Sequence, residues 1–323
     1  MRIPFRPRPR SAVALMAASA LLAPACAANP PAAQTGAAKP VARTGALPSR
    51  ITADPGLQRR LRALEVSYAG RIGAAAIDTA TGKAVGYRAG ERFPFNSMFK
   101  AYACAAVLRK ARDTDPGLLD RVQHWKPGEV LENSPETKEY TDTGMTPAQL
   151  CRAAVTKSDG LAGNQLLKQI GGPAGLTGYF RSLGDPVGRL DRYEPDLTGW
   201  RPGEARDTTS PAAAAGALSR ITVGDALHAR DRERLVGWLR ASVTGAERIR
   251  AGLPEDWTIG NKTGTGGAAN HGTANDIAIA WPPGSSAPLV IAVFTNRNAN
   301  GVPPDEKVIA STATALARAL GRL

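Results

Sequence analysis

Four short segments of this 323-residue chain carry side chains able to do covalent chemistry. Ser97-Met98-Phe99-Lys100 sets a hydroxyl and an amine three residues apart, hence on one face of a helix. A serine hydroxyl is a weak nucleophile, and a neighbouring amine of lowered pKa can take its proton. The first turn of a helix adds free backbone N–H groups and a positive dipole end where an oxyanion would form. Alone, the spacing decides little, because average composition yields Ser-x-x-Lys about once in a chain this long. Ser158-Asp159-Gly160, after the apolar run Ala153-Ala154-Val155, brings a second hydroxyl, and Lys262-Thr263-Gly264-Thr265-Gly266 brings a second amine. Each has a plain structural explanation, a loop cap and a strand edge, but chance rarely gives all three in this order. Asp191-Arg192-Tyr193-Glu194-Pro195-Asp196-Leu197 supplies a carboxylate, which is ionised near neutral pH and can hold a water as a base.

The elements that must position these groups follow from periodicity. Leu57, Leu61, Leu64 and Val66 predict a helix over residues 54–68, with Pro55 near its start. Residues 71–78 and 83–88 read as strands joined by the turn at 79–82. A helix starting near Ser97 carries Met98, Ala101, Tyr102, Ala105 and Leu108 at helical spacing, and should be central and buried. Strand patterns return at 257–262, 274–281 and 288–295, with Pro-Pro-Gly at 282–284 turning between the last two. Pro303 and Pro304, then Asp305 and Glu306, open a final helix bearing Val308, Ile309, Leu316 and Leu320. Strands at both chain ends and helices between them predict an α/β (α+β) fold. One antiparallel sheet is built from both ends and flanked by helices, with an inserted all-helical domain.

Composition bounds the remainder. With 43% hydrophobic residues the chain can bury a large core. The formal net charge of +13 is compatible with a nucleic-acid partner, but no basic stripe interleaved with aromatics is present. Four arginines in the first ten residues, then an apolar stretch at 12–23 too short to span a bilayer and the small residues Ala25 to Ala28, read as an export signal over 1–27. Cleavage there would release a secreted protein. Lipidation at Cys26 is the alternative, against the poor lipobox that Ala23 and Pro24 make. Residues 28–50, rich in Ala, Pro and Gly, read as a flexible linker, leaving 51–323 as the catalytic domain. Within it the sheet part falls at about 51–90 and 240–323, and the helical part at about 91–239. Cys104 and Cys151 are then the only cysteines, either a disulfide or two buried thiols. His124, His228 and His271 lack metal-ligand spacing, and no cofactor is implied.

Together the four segments resemble the class A serine β-lactamases, over most of the chain from Asp54 to Leu323. The resemblance implies that Ser97 attacks the amide of a β-lactam, with Lys100 or, through water, Glu194 as the acylation base. It further implies that Ser158, linked to Lys262, relays the proton to the departing nitrogen, and that Glu194 activates the deacylating water. The backbone N–H groups of Ser97 and Thr265 would form the oxyanion hole. Lys262, Thr263, Thr265 and Arg248 would bind the substrate carboxylate, a planar fork of donors suiting that task. Asn164 would line the site, Arg192 and Asp207 would pin the loop, and Cys104 would pair with Cys151. The expected partner is a small-molecule β-lactam, and the expected state a monomer. A DD-peptidase shares the serine and lysine segments but lacks the Glu194 loop, and a sensor would acylate once and stop.

Several positions depart from that family's pattern. Gly160 stands where an asparagine is usual, Thr198 where another asparagine helps hold the hydrolytic water, and Asn133 where an aromatic often walls the mouth. These imply a lost amide contact, slower deacylation and a missing stacking surface. Asn96 and Gly266 occupy two positions that are cysteines in some carbapenem-hydrolysing members.

Overall fold

A computed structural model describes residues 51–323; the expected signal at 1–27, the linker at 28–50 and Cys26 lie outside the described residues. The first helix, α1 (Pro55–Tyr68), is capped by Asp54, whose Oδ1 accepts from the Leu57 amide at 2.7 Å. Leu57, Leu61 and Tyr68 are buried, whereas Val66 is 78% exposed. Nine residues separate Val66 from Leu57, half a turn out of phase, so it sits on the opposite face.

Next come β1 (Gly70–Asp78), β2 (Ala84–Tyr87) and the two-residue β3 (Phe93–Pro94), then a 3₁₀ turn over Asn96–Met98 that runs into α2 (Phe99–Asp113). The helical middle comprises α3 (Pro147–Thr156), α4 (Gly160–Gln169) and α5 (Gly172–Ser182). Beyond the Glu194 loop follow β4 (Thr208–Thr209), α6 (Pro211–Thr222) and α7 (Ala229–Arg240). The chain closes with β5 (Thr258–Gly267), β6 (Thr273–Trp281), β7 (Leu289–Arg297) and α8 (Glu306–Ala319). This last helix starts after the expected prolines, at Glu306, because Asp305 is its cap and accepts from the Lys307 amide.

The main sheet is antiparallel with strand order β2-β1-β7-β6-β5, so the two chain ends meet where β1 pairs with β7. It is buried on both faces, and the pleat sends alternate residues to two cores. Ala74 and Ala76 of β1 join Leu57, Leu61, Val308 and Leu316 of α1 and α8. Ala75 and Ile77 join the other core, which includes Tyr102 and Leu108 of α2 and Leu218 of α6. Ala101, Tyr102, Ala105 and Leu108 are all fully buried, as expected of a central helix. Beneath the start of α2, Phe95 stacks on Phe180 with centroids 5.3 Å apart, and Tyr102 meets both edge-on. Cys104 is bonded to Cys151, tying α2 to α3.

A small ladder that periodicity could not reveal sets the site. β3 pairs with β4 through Phe93↔Thr209 and Pro94↔Thr208, so the chain just before Ser97 lies beside the end of the Glu194 loop. The Phe95 amide donates to the Asp207 carbonyl at 2.8 Å. Asp207, fully buried, closes the loop onto itself: Oδ1 accepts from the amides of Asp191 (2.7 Å) and Arg192 (2.9 Å), and Oδ2 from Arg192 Nε (2.6 Å). The expected Arg192–Asp207 pair is therefore present, with two backbone donors added. Removing this buried acceptor leaves two amides without a partner and Arg192 with only Glu204, 3.6 Å away. Asp207→Ala should cost roughly 3 kcal/mol, read as a melting temperature lowered by about 6–12 °C. A melting temperature within 1 °C of the wild type would show that the latch carries no such load.

Candidate active site

Ser97 lies at the 3₁₀ entry to α2, where Lys100, one turn later, points along the same face. Lys100 is fully buried, and three oxygens lie against its ammonium, two as hydrogen-bond acceptors and the last as an ion-pair partner. These are Ser97 Oγ at 2.9 Å, the Ser158 carbonyl at 2.7 Å and Glu194 Oε1 at 2.8 Å. Ser97 Oγ in turn donates to Glu194 Oε1 at 2.9 Å. Burial alone would raise the Glu194 carboxyl, but Lys100, Asn133 and Ser97 offset it and hold the group below its ordinary value. Glu194 is consequently the anion of a closed triangle with a nucleophile and a cation.

The second hydroxyl and amine meet on the neighbouring side. Lys262, fully buried on β5, donates to Ser158 Oγ at 2.8 Å and to the Thr263 carbonyl at 2.8 Å. Burial, with Lys100 nearby, holds its amine well below the ordinary lysine range. Ser158 sits in the left-handed region at φ 60°, as do Asn96 at 45° and Asp207 at 55°. Such backbone is uncommon for residues with side chains, and three of the six non-glycine cases among the described residues lie in the segments that build this site. Asp159, the residue between, is structural: it caps α4 at Ala162 and accepts from the amides of Glu136 and Thr137.

β5 is an edge strand, so one of its backbone rims is free of sheet pairing. That strand runs against the Ser97 turn so closely that a Cβ on Gly264 would lie 2.7 Å from the Phe95 carbonyl oxygen. Asn96 and Gly266 are likewise adjacent, 3.1 Å separating Asn96 Oδ1 from a Cβ built at 266. Thr265 is exposed, and its hydroxyl accepts from Arg248 Nη2 at 2.7 Å. Arg248 itself is buried and further engaged by Glu306 at 2.7 Å and by the carbonyls of Gly264 and Asn275. Its guanidinium thus stands behind Thr265 and not in the open, and its reach toward a ligand runs through that hydroxyl. Thr263 is also buried and shares a 2.8 Å hydrogen bond with Thr244.

Asn164 and Asn133 both hold Glu194. Asn164 clasps the Glu194 backbone, donating to its carbonyl at 2.8 Å and accepting from its amide at 3.0 Å. Asn133 is not simply an absent wall: its amide donates to Glu194 Oε2 at 2.9 Å. The Thr198 hydroxyl donates to the Pro195 carbonyl at 2.7 Å, within its own loop. Gly160 opens α4 directly beside Asn133 and Glu194. All the serine, lysine and glutamate positions read from the sequence therefore converge. Those that sequence reasoning missed, Asn133 and Asp159 as supports and Glu306 as the partner of Arg248, act across loops with no periodic signal.

Comparison with known proteins agrees with this geometry. The profile of the β-lactamase enzyme family matches residues 56–320. β-Lactamase AST-1 of Nocardia asteroides is 47% identical over 278 residues, covering 86% of this chain and 87% of that protein. The carbapenem-hydrolysing β-lactamase KPC of Klebsiella oxytoca is 46% identical over 258 residues, covering 80% and 87%. Among solved structures, a β-lactamase from Streptosporangium roseum superposes with a TM-score of 0.81 at 58% identity, over 83% of this chain and 99% of that one. A mutant of the last common ancestor of Gram-negative bacteria β-lactamase class A gives 0.77 at 46% identity, over 82% and 98%. With its serine, two lysines and buried glutamate gathered at one strand edge, the chain belongs to the β-lactamase enzyme family.

Proposed function

We propose that the protein hydrolyses the amide of β-lactam antibiotics through an acyl-Ser97 intermediate, and so confers resistance. The observation that carries this reading is the closed triangle of Ser97 Oγ, Lys100 Nζ and Glu194 Oε1, every side 2.8–2.9 Å. Lys100 donates to Ser97 Oγ and to the Ser158 carbonyl, and the Ser97 proton is directed at Glu194. Glu194 is accordingly the acylation base, and Lys100 steadies the charge on both oxygens. Ser97 Oγ bonds to the lactam carbonyl carbon, and the carbon–nitrogen bond breaks. Ser158 is poised to protonate the leaving nitrogen, because Lys262 donates to its oxygen and frees its own hydrogen. The proton held by Glu194 then passes by way of the Lys100 ammonium to Ser158, restoring both groups. In deacylation Glu194 takes a proton from a water that attacks the ester, and passes it to Ser97 Oγ as the ester bond breaks. Thr265 and Lys262 meet the substrate carboxylate, with Arg248 fixing the Thr265 hydroxyl. The mature enzyme is proposed to work as a secreted monomer.

Glu194→Ala should slow both steps, deacylation more than acylation and by about 10²–10⁴-fold, so that an adduct on Ser97 persists in intact-mass spectra. Rapid turnover without an adduct would remove Glu194 from the second step.

The pH dependence follows from the lowered Glu194 carboxyl. A carboxylate whose folded-state pKa is depressed keeps its charge, and its stabilising pairing, down to that lowered value. Both are lost only as the pH falls through it. The acid limb of kcat/KM should therefore lie below the ordinary glutamate value of 4.5. A limb above that value would contradict the pairing described.

A further inference from the structure

Glu194 has two carboxylate oxygens, and they are held from different elements. Oε1 receives Lys100 and Ser97. Oε2 receives the Asn133 amide at 2.9 Å. When Ser97 becomes an ester it has no hydrogen to give, so in the acyl-enzyme the anchors left to Glu194 are Lys100 and Asn133. Thr198, spent on Pro195, adds none.

Asn133 can reach this oxygen because of what is missing opposite it. A Cβ at position 160 would stand 2.4 Å from Asn133 Oδ1 and 2.7 Å from Glu194 Oε2, distances no real Cβ adopts. The turn bearing Asn133 is itself fixed to α4. The Gly160 amide donates to the Asn133 carbonyl at 2.8 Å, and Ser134 Oγ accepts from the amides of Leu131 and Leu161. Ser134 is fully buried, and buried Asp159 accepts from the amides of Glu136 and Thr137.

We infer that Asn133 is the positioning residue for the deacylating carboxylate, and that Gly160 is the small residue that makes room for it. The two departures from the family pattern at the mouth of the site thus form one unit. A side chain is lost at 160 and an amide gained from 133, placed on Glu194 Oε2, while the Thr198 hydroxyl serves neither carboxylate oxygen. The inference rests on the proposal that Glu194 drives deacylation. The charged groups facing Glu194 are Lys100 from α2 and, farther off, Lys262 from β5. α4 and the 131–137 turn face it with the neutral Gly160, Asn164 and Asn133.

The test is pre-steady-state and steady-state hydrolysis of a chromogenic cephalosporin by the wild type, Asn133→Ala, Asn133→Asp and Gly160→Ala, with melting temperatures alongside. Asn133→Ala should lower kcat and KM together by about ten-fold, leaving kcat/KM within about three-fold and raising the acylated fraction. Its acid limb of kcat should move to higher pH, because a donor that favours the charged carboxylate is gone. Asn133→Asp, nearly isosteric but anionic, should move that limb further. Gly160→Ala should reproduce the kcat loss, and combined with Asn133→Ala should cost less than the sum of the two. Wild-type turnover with an unchanged kcat and acid limb in folded Asn133→Ala would overturn the role of Asn133 alone. Absence of turnover in the wild type would instead overturn the underlying reading of Glu194.

Discussion

The interaction on which the rest of this structure depends is a buried ion pair. Lys100 and Glu194 have side chains 0% and 1% exposed, and taking two such charges from water costs several kcal/mol per ion. Their mutual attraction offsets that cost only if every remaining proton and lone pair is met. It is met here by Ser97, by the Ser158 carbonyl and by Asn133. The nucleophile is therefore part of what makes the pair tolerable, and the pair is what keeps the nucleophile's proton directed at a base.

The surrounding fold is largely a device for keeping those partners in register. The 3₁₀ turn at Asn96–Met98 and α2 carry two of the three groups on one face, and Glu194 comes from a loop whose regular structure is one short 3₁₀ turn, Asp196–Thr198. Three separate attachments replace that support: the Asp207 latch at the loop base, the β3–β4 ladder to the segment before Ser97, and the two-sided clasp of Asn164 on the Glu194 backbone. Any one loosened would leave a buried carboxylate searching for donors, which explains why polar side chains as far from the chemistry as Asp207 are fully buried.

Much of this was legible in the sequence, for reasons specific to each element. α2 could be read because Met98, Ala101, Tyr102 and Leu108 face one core, and β6 and β7 because the sheet is covered on both sides by apolar residues. Ser97, Lys100, Ser158, Glu194 and Lys262 stood out because their four segments together resemble one family, spacing alone deciding little. What escaped lies in contacts without a local pattern. β3 and β4 are two residues each, too short to show alternation. Val66 looked like part of an apolar stripe until its angular position was counted. Asn133 was read by what it lacks, because nothing nearby in sequence says that Gly160 leaves space for its amide 27 positions earlier. Arg248 was legible as a donor, but Glu306, which holds it from behind, is 58 residues away.

The most direct test of the account is the number of β-lactam molecules consumed per protein molecule. Purified protein comprising residues 51–323 would be mixed with excess chromogenic cephalosporin, with intact mass followed in parallel. The triangle of Ser97, Lys100 and Glu194 requires many turnovers and no adduct persisting once substrate is exhausted. A single stoichiometric burst that leaves Ser97 permanently acylated would contradict it, and would make the protein a β-lactam trap in place of a hydrolase.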